Sequence, residues 1–83
     1  MNRLTDYQTT TDLDLGAAYM VVTGRQPHVV HSHDDKLASI EMVDDAVTRQ
    51  LMLAYACGQL ALNIKRFATC RAWLYRQVKE VMS

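Results

Sequence analysis

The spacing of apolar residues changes period twice along this chain, which limits the folds that it can adopt. Ala38, Ile40 and Met42 alternate with Ser39 and Glu41, a pattern typical of a half-buried β-strand. On both sides of this segment, apolar residues recur every three or four positions, as they do in amphipathic helices. Because 83 residues allow only one domain, these helices and strands must share one core. The sequence therefore predicts a small single domain of the α+β class.

The first helix is predicted over residues 12–23. Its apolar positions follow the spacing i, i+3, i+4, i+7 and are Leu15, Ala18, Tyr19 and Val22. Thr11 followed by Asp14 resembles a capping box at the start of this helix, and Gly24 is a typical residue to end it. The segment Tyr19–Thr23 is also rich in strand-forming residues, so a strand that turns at Gly24 is the alternative.

A β-hairpin is predicted to follow. The run His28–Ser32 contains two adjacent valines and favours a short strand. His33–Lys36 is polar, with two aspartates that favour a turn, and the alternating residues 38–42 form the second strand. A two-stranded hairpin is only marginally stable by itself, so we expect helices to cover one of its faces.

Two further helices complete the predicted fold. Asp44 is a typical N-cap for a helix that Gly58 would end, and its apolar stripe would be Val47, Leu51, Ala54 and Tyr55. Asn63 is a typical N-cap for a long C-terminal helix, whose apolar row would be Ile64, Phe67, Leu74, Val78 and Val81. Arg71 occupies a position in this row, where it would either extend past the core or pair with an acidic residue.

The predicted element order is therefore α-β-β-α-α. A β-hairpin packs against helices, and the longest helix lies at the C-terminus. We expect residues 1–10 to form a flexible N-terminus and residues 11–83 to form the compact domain.

The chain contains four segments, residues 11–20, 40–45, 54–58 and 63–67, that resemble those of a family of small uncharacterised bacterial and phage domains. Residues 11–20 read TDLDLGAAYM, four residues before Gly24, and are similar to the "DLxLAAYLxxxG" opening of that family. The segments AYACG (54–58) and NIKRF (63–67) match its "AY..G" and "N/D-x-x-RF" patterns, although Gly16 stands where the family usually has alanine. The resemblance implies the same element order and a phage or mobile-element origin. It implies no activity, cofactor or catalytic residue, because the family has none assigned.

The histidines of the hairpin tip belong to the cluster of side chains in this sequence that most resembles a metal or catalytic site. In an extended segment His31, His33 and Asp35 would point to the same side, as ligands of a metal site must. The alternative is a solvated hairpin tip that binds no metal. These three residues are therefore weak metal candidates, and we expect no cofactor.

The sequence contains no catalytic set that we can identify. Ser32 lies next to two histidines, but neighbouring residues on a strand face opposite sides. The two cysteines, Cys57 and Cys70, are predicted to be buried free thiols, as in a reducing compartment. No apolar run approaches the roughly 20 residues of a membrane helix, and the polar N-terminus does not resemble a signal peptide. We therefore expect a cytoplasmic protein that is not an enzyme and does not bind a membrane.

Charge is divided unevenly along a chain whose formal net charge is zero. Residues 1–58 carry four cations and eight acids, a charge of −4, whereas residues 59–83 carry five cations and one acid, a charge of +4. Helical spacing places most of these cations on one side of the last helix, with Trp73 at its border and Tyr75 partly inside. The predicted binding residues are Lys65, Arg66, Thr69, Trp73, Arg76 and Lys79. Simple solvation of these side chains, or their pairing with the acidic half of the same domain, is the structural alternative.

Arginines beside a tryptophan are typical of protein interfaces. The sequence therefore favours a non-enzymatic protein-interaction module, such as an adaptor, inhibitor or regulator, that binds another protein through the C-terminal helix. Self-association is a second form of this hypothesis, since the acidic and basic halves could pair between copies. The alternative function is DNA or RNA binding through the same helix, because cationic stripes also bind phosphate backbones.

Overall fold

A computed structural model describes residues 6–31 and 36–83 of the chain, which form three strands and three helices. In chain order these are β1 (Tyr7–Thr10), α1 (Leu13–Thr23), β2 (His28–Val30), β3 (Ser39–Val43), α2 (Ala46–Ala56) and α3 (Ile64–Met82). The α+β class and the order α-β-β-α-α from α1 onward are confirmed. The C-terminal helix is the longest of the described elements, with 19 residues.

The three strands form one antiparallel sheet in the order β1-β3-β2. The predicted hairpin is confirmed, with His28 opposite Glu41 and Val30 opposite Ser39. Ile40 and Met42 of the central strand are almost completely buried, as the alternation of polar and apolar residues predicted. One face of the sheet therefore packs on the helices, while the other carries side chains such as Glu41 that are more accessible to water.

Strand β1 corrects part of the expectation for the N-terminus. Residues 1–10 were expected to be flexible, yet Tyr7–Thr10 pairs with β3 from Val43 to Ile40, and the amide of Asp44 donates to the carbonyl of Asp6 at 2.8 Å. Tyrosine and threonine favour strands, but so short a segment becomes a strand only because β3 offers a free edge. The remaining residues of that segment, 1–5, lie outside the described part of the chain.

Helix α1 is the centre of the fold, and its helical character settles the helix-or-strand alternative. All residues from Leu15 to Met20 are buried, because the helix packs against α2, α3 and β3 at the same time. A helix buried on every side needs more than one apolar face, so the single predicted stripe describes it incompletely. Val22, which we placed in that stripe, is 43% exposed.

The caps of α1 differ slightly from those predicted. Asp12, and not Thr11, is the N-cap, and its carboxylate accepts from the amides of Asp14 at 2.9 Å and Leu15 at 3.4 Å. Gly24 ends the helix in the left-handed conformation, with φ of 72°, as predicted. This conformation disfavours residues with a Cβ, which explains why glycine is suited to this position.

Gly16 allows α1 to approach its neighbours closely. A Cβ at this position would lie 2.6 Å from Cδ2 of Leu74 and 3.2 Å from Cγ2 of Ile40. Both of these side chains are buried, so neither can move away into solvent. The glycine that departs from the resembled pattern is therefore required by the contact of α1 with α3 and β3.

Helices α2 and α3 begin at polar caps. Asp45 caps α2, one residue after the predicted Asp44, and accepts from the amide of Thr48 at 2.9 Å. The same carboxylate lies 2.8 Å from Arg25, which fixes the segment after α1 to the start of α2. The Thr48 amide and the Arg25 guanidinium together lower the pKa of Asp45. Asn63 caps α3 as predicted, accepting from the amide of Arg66 at 3.0 Å.

Candidate functional site

Helix α3 presents one face to the core and the opposite face to solvent. Leu74 is completely buried on the first face, and Phe67, Cys70 and Val78 are half-buried beside it. At 3.6 residues per turn, Lys65, Thr69, Arg76 and Lys79 lie on the side opposite Leu74. The three- and four-residue spacing of the core positions thus determines which side chains of this helix reach solvent.

Five of the six predicted binding residues are exposed, and we call them the cationic face. They are Lys65, Arg66, Thr69, Arg76 and Lys79. The sixth, Trp73, is half-buried and packs against the core cluster, as expected for a border position. Tyr75, predicted to lie partly inside, is instead 49% exposed; it flanks Leu74 on the side of the helix away from Trp73.

The start of the cationic face contains a shallow depression. Lys65, Arg66, Thr69 and Cys70 line it, with a volume of 240 Å³. The structure thus brings together three of the predicted residues at the first two turns of α3. Further along the helix, the Nζ atom of Lys79 lies 5.6 Å from the centre of the Tyr75 ring, a cation–π distance.

The cations of this face lack acidic partners within residues 6–31 and 36–83. Each ion pair of an arginine in the described residues lies elsewhere, and these pairs are Arg25–Asp45, Arg49–Asp44 and Arg71–Asp14. Arg71 belongs to α3 but not to the cationic face. Its pair with Asp14 decides between the two sequence-based interpretations of Arg71 in favour of pairing.

The acidic half of the domain is largely engaged in its own contacts. Asp14, Asp44 and Asp45 form the ion pairs just described, and Glu41 lies 3.9 Å from His28. Asp12 caps α1 through Oδ1 and accepts the hydroxyl of Tyr55 at Oδ2, at 2.6 Å. These carboxylates therefore do not neutralise the cationic face, even though the whole chain has no net charge.

A second feature, an apolar groove, was not found by sequence reasoning. It lies between α1, the α2–α3 connection and the start of α3, with a volume of 390 Å³. Its apolar walls are Ala18, Leu60, Leu62, Ile64 and Phe67, and its polar ones are Asp14 and Tyr55. The sequence does contain one indication of this groove, because Leu60 and Leu62 lie in the connection and belong to neither of the predicted apolar rows of the flanking helices.

The predicted metal ligands are only partly described. His31 follows β2 and is exposed, whereas His33 and Asp35 lie outside the described residues. Within residues 6–31 and 36–83, no group of three or more histidine, cysteine or acidic side chains could hold a metal ion.

The two thiols are free, but they are less buried than predicted. Cys57 is exposed and Cys70 is half-buried. Cys57 follows the last residue of α2, where the chain turns through Gly58 with φ of 71°, and its side chain is exposed. The expectation of two buried thiols is therefore wrong for Cys57.

Comparison with known proteins assigns no family to this chain. No family model matches the sequence, and no curated protein or solved structure matches it either. None of the described helices is both long and apolar enough to cross a membrane. The function must therefore be argued from the residues of this chain.

Proposed function

We propose that this protein is a non-enzymatic protein-interaction module that binds an acidic surface of another protein through the cationic face of α3. One observation supports the proposal above the others. Lys65, Arg66, Arg76 and Lys79 have no carboxylate partner among the described residues, whereas most described carboxylates are already engaged. The missing negative charge then comes from the partner.

The surroundings of the cations favour a protein over a nucleic acid as partner. The floor of the depression is the half-buried Cys70, and Trp73 borders the same face. Arginine combined with aromatic and apolar contact area is typical of protein interfaces. Nucleic-acid-binding domains usually carry a strong net positive charge, and this chain has none.

Nucleic-acid binding through α3 is the second candidate, and the same unpaired cations support it. Each phosphate contact would release counterions, so the affinity would fall steeply with salt. Self-association is less well supported, since Asp12, Asp14, Asp44 and Asp45 are engaged within their own domain.

The role would be that of an adaptor, inhibitor or regulator, and one property supports placing it in the cytoplasm. The thiols of Cys57 and Cys70 are free, which agrees with a reducing compartment. A phage or mobile-element origin rests on the resemblance of residues 11–20, 40–45, 54–58 and 63–67 to the family described above.

A matched pair of charge reversals tests the proposal. Arg76→Glu alters the cationic face, and Lys36→Glu makes the same change in net charge at another exposed cation. Proteins captured from the native host are identified, purified and titrated against both variants by calorimetry. We expect an acidic partner whose affinity falls at least tenfold for Arg76→Glu and stays within twofold of wild type for Lys36→Glu. Equal affinities for the two variants would contradict the use of this face.

Gel retardation with DNA and RNA at low salt separates the second candidate from the first. For a nucleic-acid-binding protein, a plot of the logarithm of the binding constant against the logarithm of the salt concentration is steep. The magnitude of its slope would decrease by about one for each phosphate contact removed, for example by Lys65→Gln. Retardation with this behaviour, and no protein partner, would replace the proposal by its alternative.

A further inference from the structure

A row of exposed apolar side chains runs along α3 beside the cationic face. Ile64, Tyr75 and Met82 are 80%, 49% and 38% exposed, and Ala68 is exposed between them. Their spacings of four, seven and seven residues place all four on one side of the helix. We call these four residues the apolar seam; it extends over roughly 27 Å at 1.5 Å per residue.

The seam has the periodicity of a coiled-coil contact. Ala68, Tyr75 and Met82 repeat every seven residues, as a positions do, and Ile64, Arg71 and Val78 take the d positions. Arg71 interrupts the apolar row, but Asp14 pairs with its guanidinium. Val78 is half-buried between the seam and the core. A helix lying along this side of α3 would therefore cover side chains that are now in contact with water.

The groove continues the seam at its N-terminal end, where Ile64 belongs to both. An enclosed cavity of about 150 Å³ can take a benzene ring, so a groove of 390 Å³ has room for more than one apolar side chain. Its two polar side chains are already engaged, Asp14 with Arg71 and Tyr55 with Asp12. The groove is thus suited to apolar side chains rather than to a polar ligand.

The charges that flank the apolar seam indicate what kind of helix would pack along it. In the same heptad numbering Lys65 and Lys79 occupy e positions, which flank the contact in coiled coils and select the partner by charge. Neither lysine has a carboxylate partner among the described residues. In an antiparallel second copy of α3 the lysines would lie near lysines, and in a parallel copy they would face the apolar g positions Phe67, Leu74 and Val81. Neither arrangement supplies a carboxylate, so the charges disfavour self-pairing along this side.

We propose that the partner contributes an acidic amphipathic helix, which packs along the apolar seam, places an apolar side chain in the groove and pairs its carboxylates with Lys65 and Lys79. This inference rests on the proposed function and specifies the chemistry of its partner. It resembles the recognition of helices in apolar grooves, where residues at i, i+3, i+4 and i+7 supply the contacts.

A designed peptide tests the inference directly. It has 21 residues, with leucine at the a and d positions and glutamate at e and g, and a fluorescent label reports binding by anisotropy. The comparison peptide has lysine in place of each glutamate. We expect the acidic peptide to bind at least tenfold more tightly than the lysine peptide. Equal affinities, or no binding of the acidic peptide at near-millimolar concentration, would overturn the inference.

Variants of the chain locate the contact. Tyr75→Ser and Ile64→Ser remove exposed apolar area from the seam, and we expect each to lower the affinity for the acidic peptide by about tenfold. Val47→Ser is the control, because Val47 is similarly exposed, at 46%, on α2, and we expect no change in affinity. Circular dichroism confirms that the variants are folded, and amide NMR shifts at Ile64, Ala68 and Tyr75 give a second measurement that does not depend on substitution.

The results distinguish this inference from the proposed function. If the seam variants bind the host partner normally while Arg76→Glu does not, the partner binds the cationic face, and the proposal that its helix packs along the apolar seam is wrong. If neither the seam variants nor Arg76→Glu weakens the host partner, both are wrong.

Discussion

The hydroxyl of Tyr55 in α2 donates a 2.6 Å hydrogen bond to Oδ2 of Asp12, the residue that caps α1. The other oxygen of this carboxylate accepts from the amides of Asp14 and Leu15. One side chain therefore both starts α1 and holds the last turns of α2 against it. The Tyr55 side chain also forms part of the polar side of the groove.

The Tyr55–Asp12 contact predicts a loss of stability in strong base. Because the phenol donates to a carboxylate, the pKa of Tyr55 is raised from 10 to about 12. The folded state holds this proton more tightly than the unfolded state. The stabilisation of the folded state by the Tyr55–Asp12 hydrogen bond is therefore complete below pH 10 and is lost between about pH 10 and 12. We expect Tyr55→Phe to lower stability by about 1 kcal/mol at pH 7, and we expect this difference from wild type to shrink above pH 10. Urea unfolding at a series of pH values measures it, and a difference independent of pH would contradict the assignment.

The Arg25–Asp45 ion pair predicts a second dependence on pH, in acid. The Thr48 amide and Arg25 lower the pKa of Asp45 below its ordinary 3.8. A carboxyl with a depressed pKa stabilises the folded state above the unfolded-state value, and this contribution is lost as the pH falls below about 3.8. Asp45→Asn keeps a capping side chain but loses the charge, so we expect it to be less stable than wild type at pH 7. The two proteins should converge in stability toward pH 2; a constant gap would show that the charge of Asp45 is not responsible.

The close contact at Gly16 predicts that alanine is destabilising there. Alanine favours a helix over glycine by about 1 kcal/mol, but its Cβ would lie 2.6 Å from Cδ2 of the buried Leu74. Overpacking of this kind costs about 1–3 kcal/mol, so we expect a net loss of roughly 1 kcal/mol for Gly16→Ala. In a Leu74→Val background, which lacks that Cδ2 atom, the same substitution should be neutral or stabilising. Thermal unfolding of all four proteins gives the coupling energy, and additivity of the two changes would exclude the contact as the cause.

A buried hydroxyl in α2 predicts a stabilising substitution. Thr48 is completely buried, and its Oγ1 atom makes no hydrogen bond of good geometry; its approach to the Asp45 carboxylate is only a minor cause of the lowered pKa of Asp45. An unsatisfied buried hydroxyl costs about 1–3 kcal/mol, and valine has nearly the same shape without this atom. We expect Thr48→Val to raise the unfolding free energy by about 1 kcal/mol. Thr48→Ser serves as the comparison, because it keeps the hydroxyl, loses a methyl group and should be less stable than wild type.

Much of the candidate site followed from spacing alone. The position of Leu74 in an apolar row implied that Arg76 and Lys79 would face solvent, and both do. Spacing could not show whether these cations would find carboxylates in the other half of the domain, because every acid except Glu80 lies more than 30 residues away from them in the chain. Spacing could not distinguish the two neighbours of Leu74 either, because each lies one position away, yet Trp73 is half-buried and Tyr75 is exposed.

The elements that the sequence missed depend on contacts between distant segments. Tyr7–Thr10 has strand-forming residues but too few of them to be recognised, and it pairs because β3 has an unoccupied edge. The groove forms where Leu60 and Leu62 of a connection meet Ala18 of α1. Neither feature has a local period that could be detected along the chain.

The residues by themselves determined the order of the elements from α1 onward and the caps at Gly24 and Asn63, since period and capping act within a few positions of the backbone. The tertiary structure decided which charges were neutralised. Asp14 reached Arg71 across 57 positions, while Lys65 and Arg76 found no acid in the described part of the chain. Electrostatic energy depends on distance in space, and the sequence orders residues only by distance along the chain.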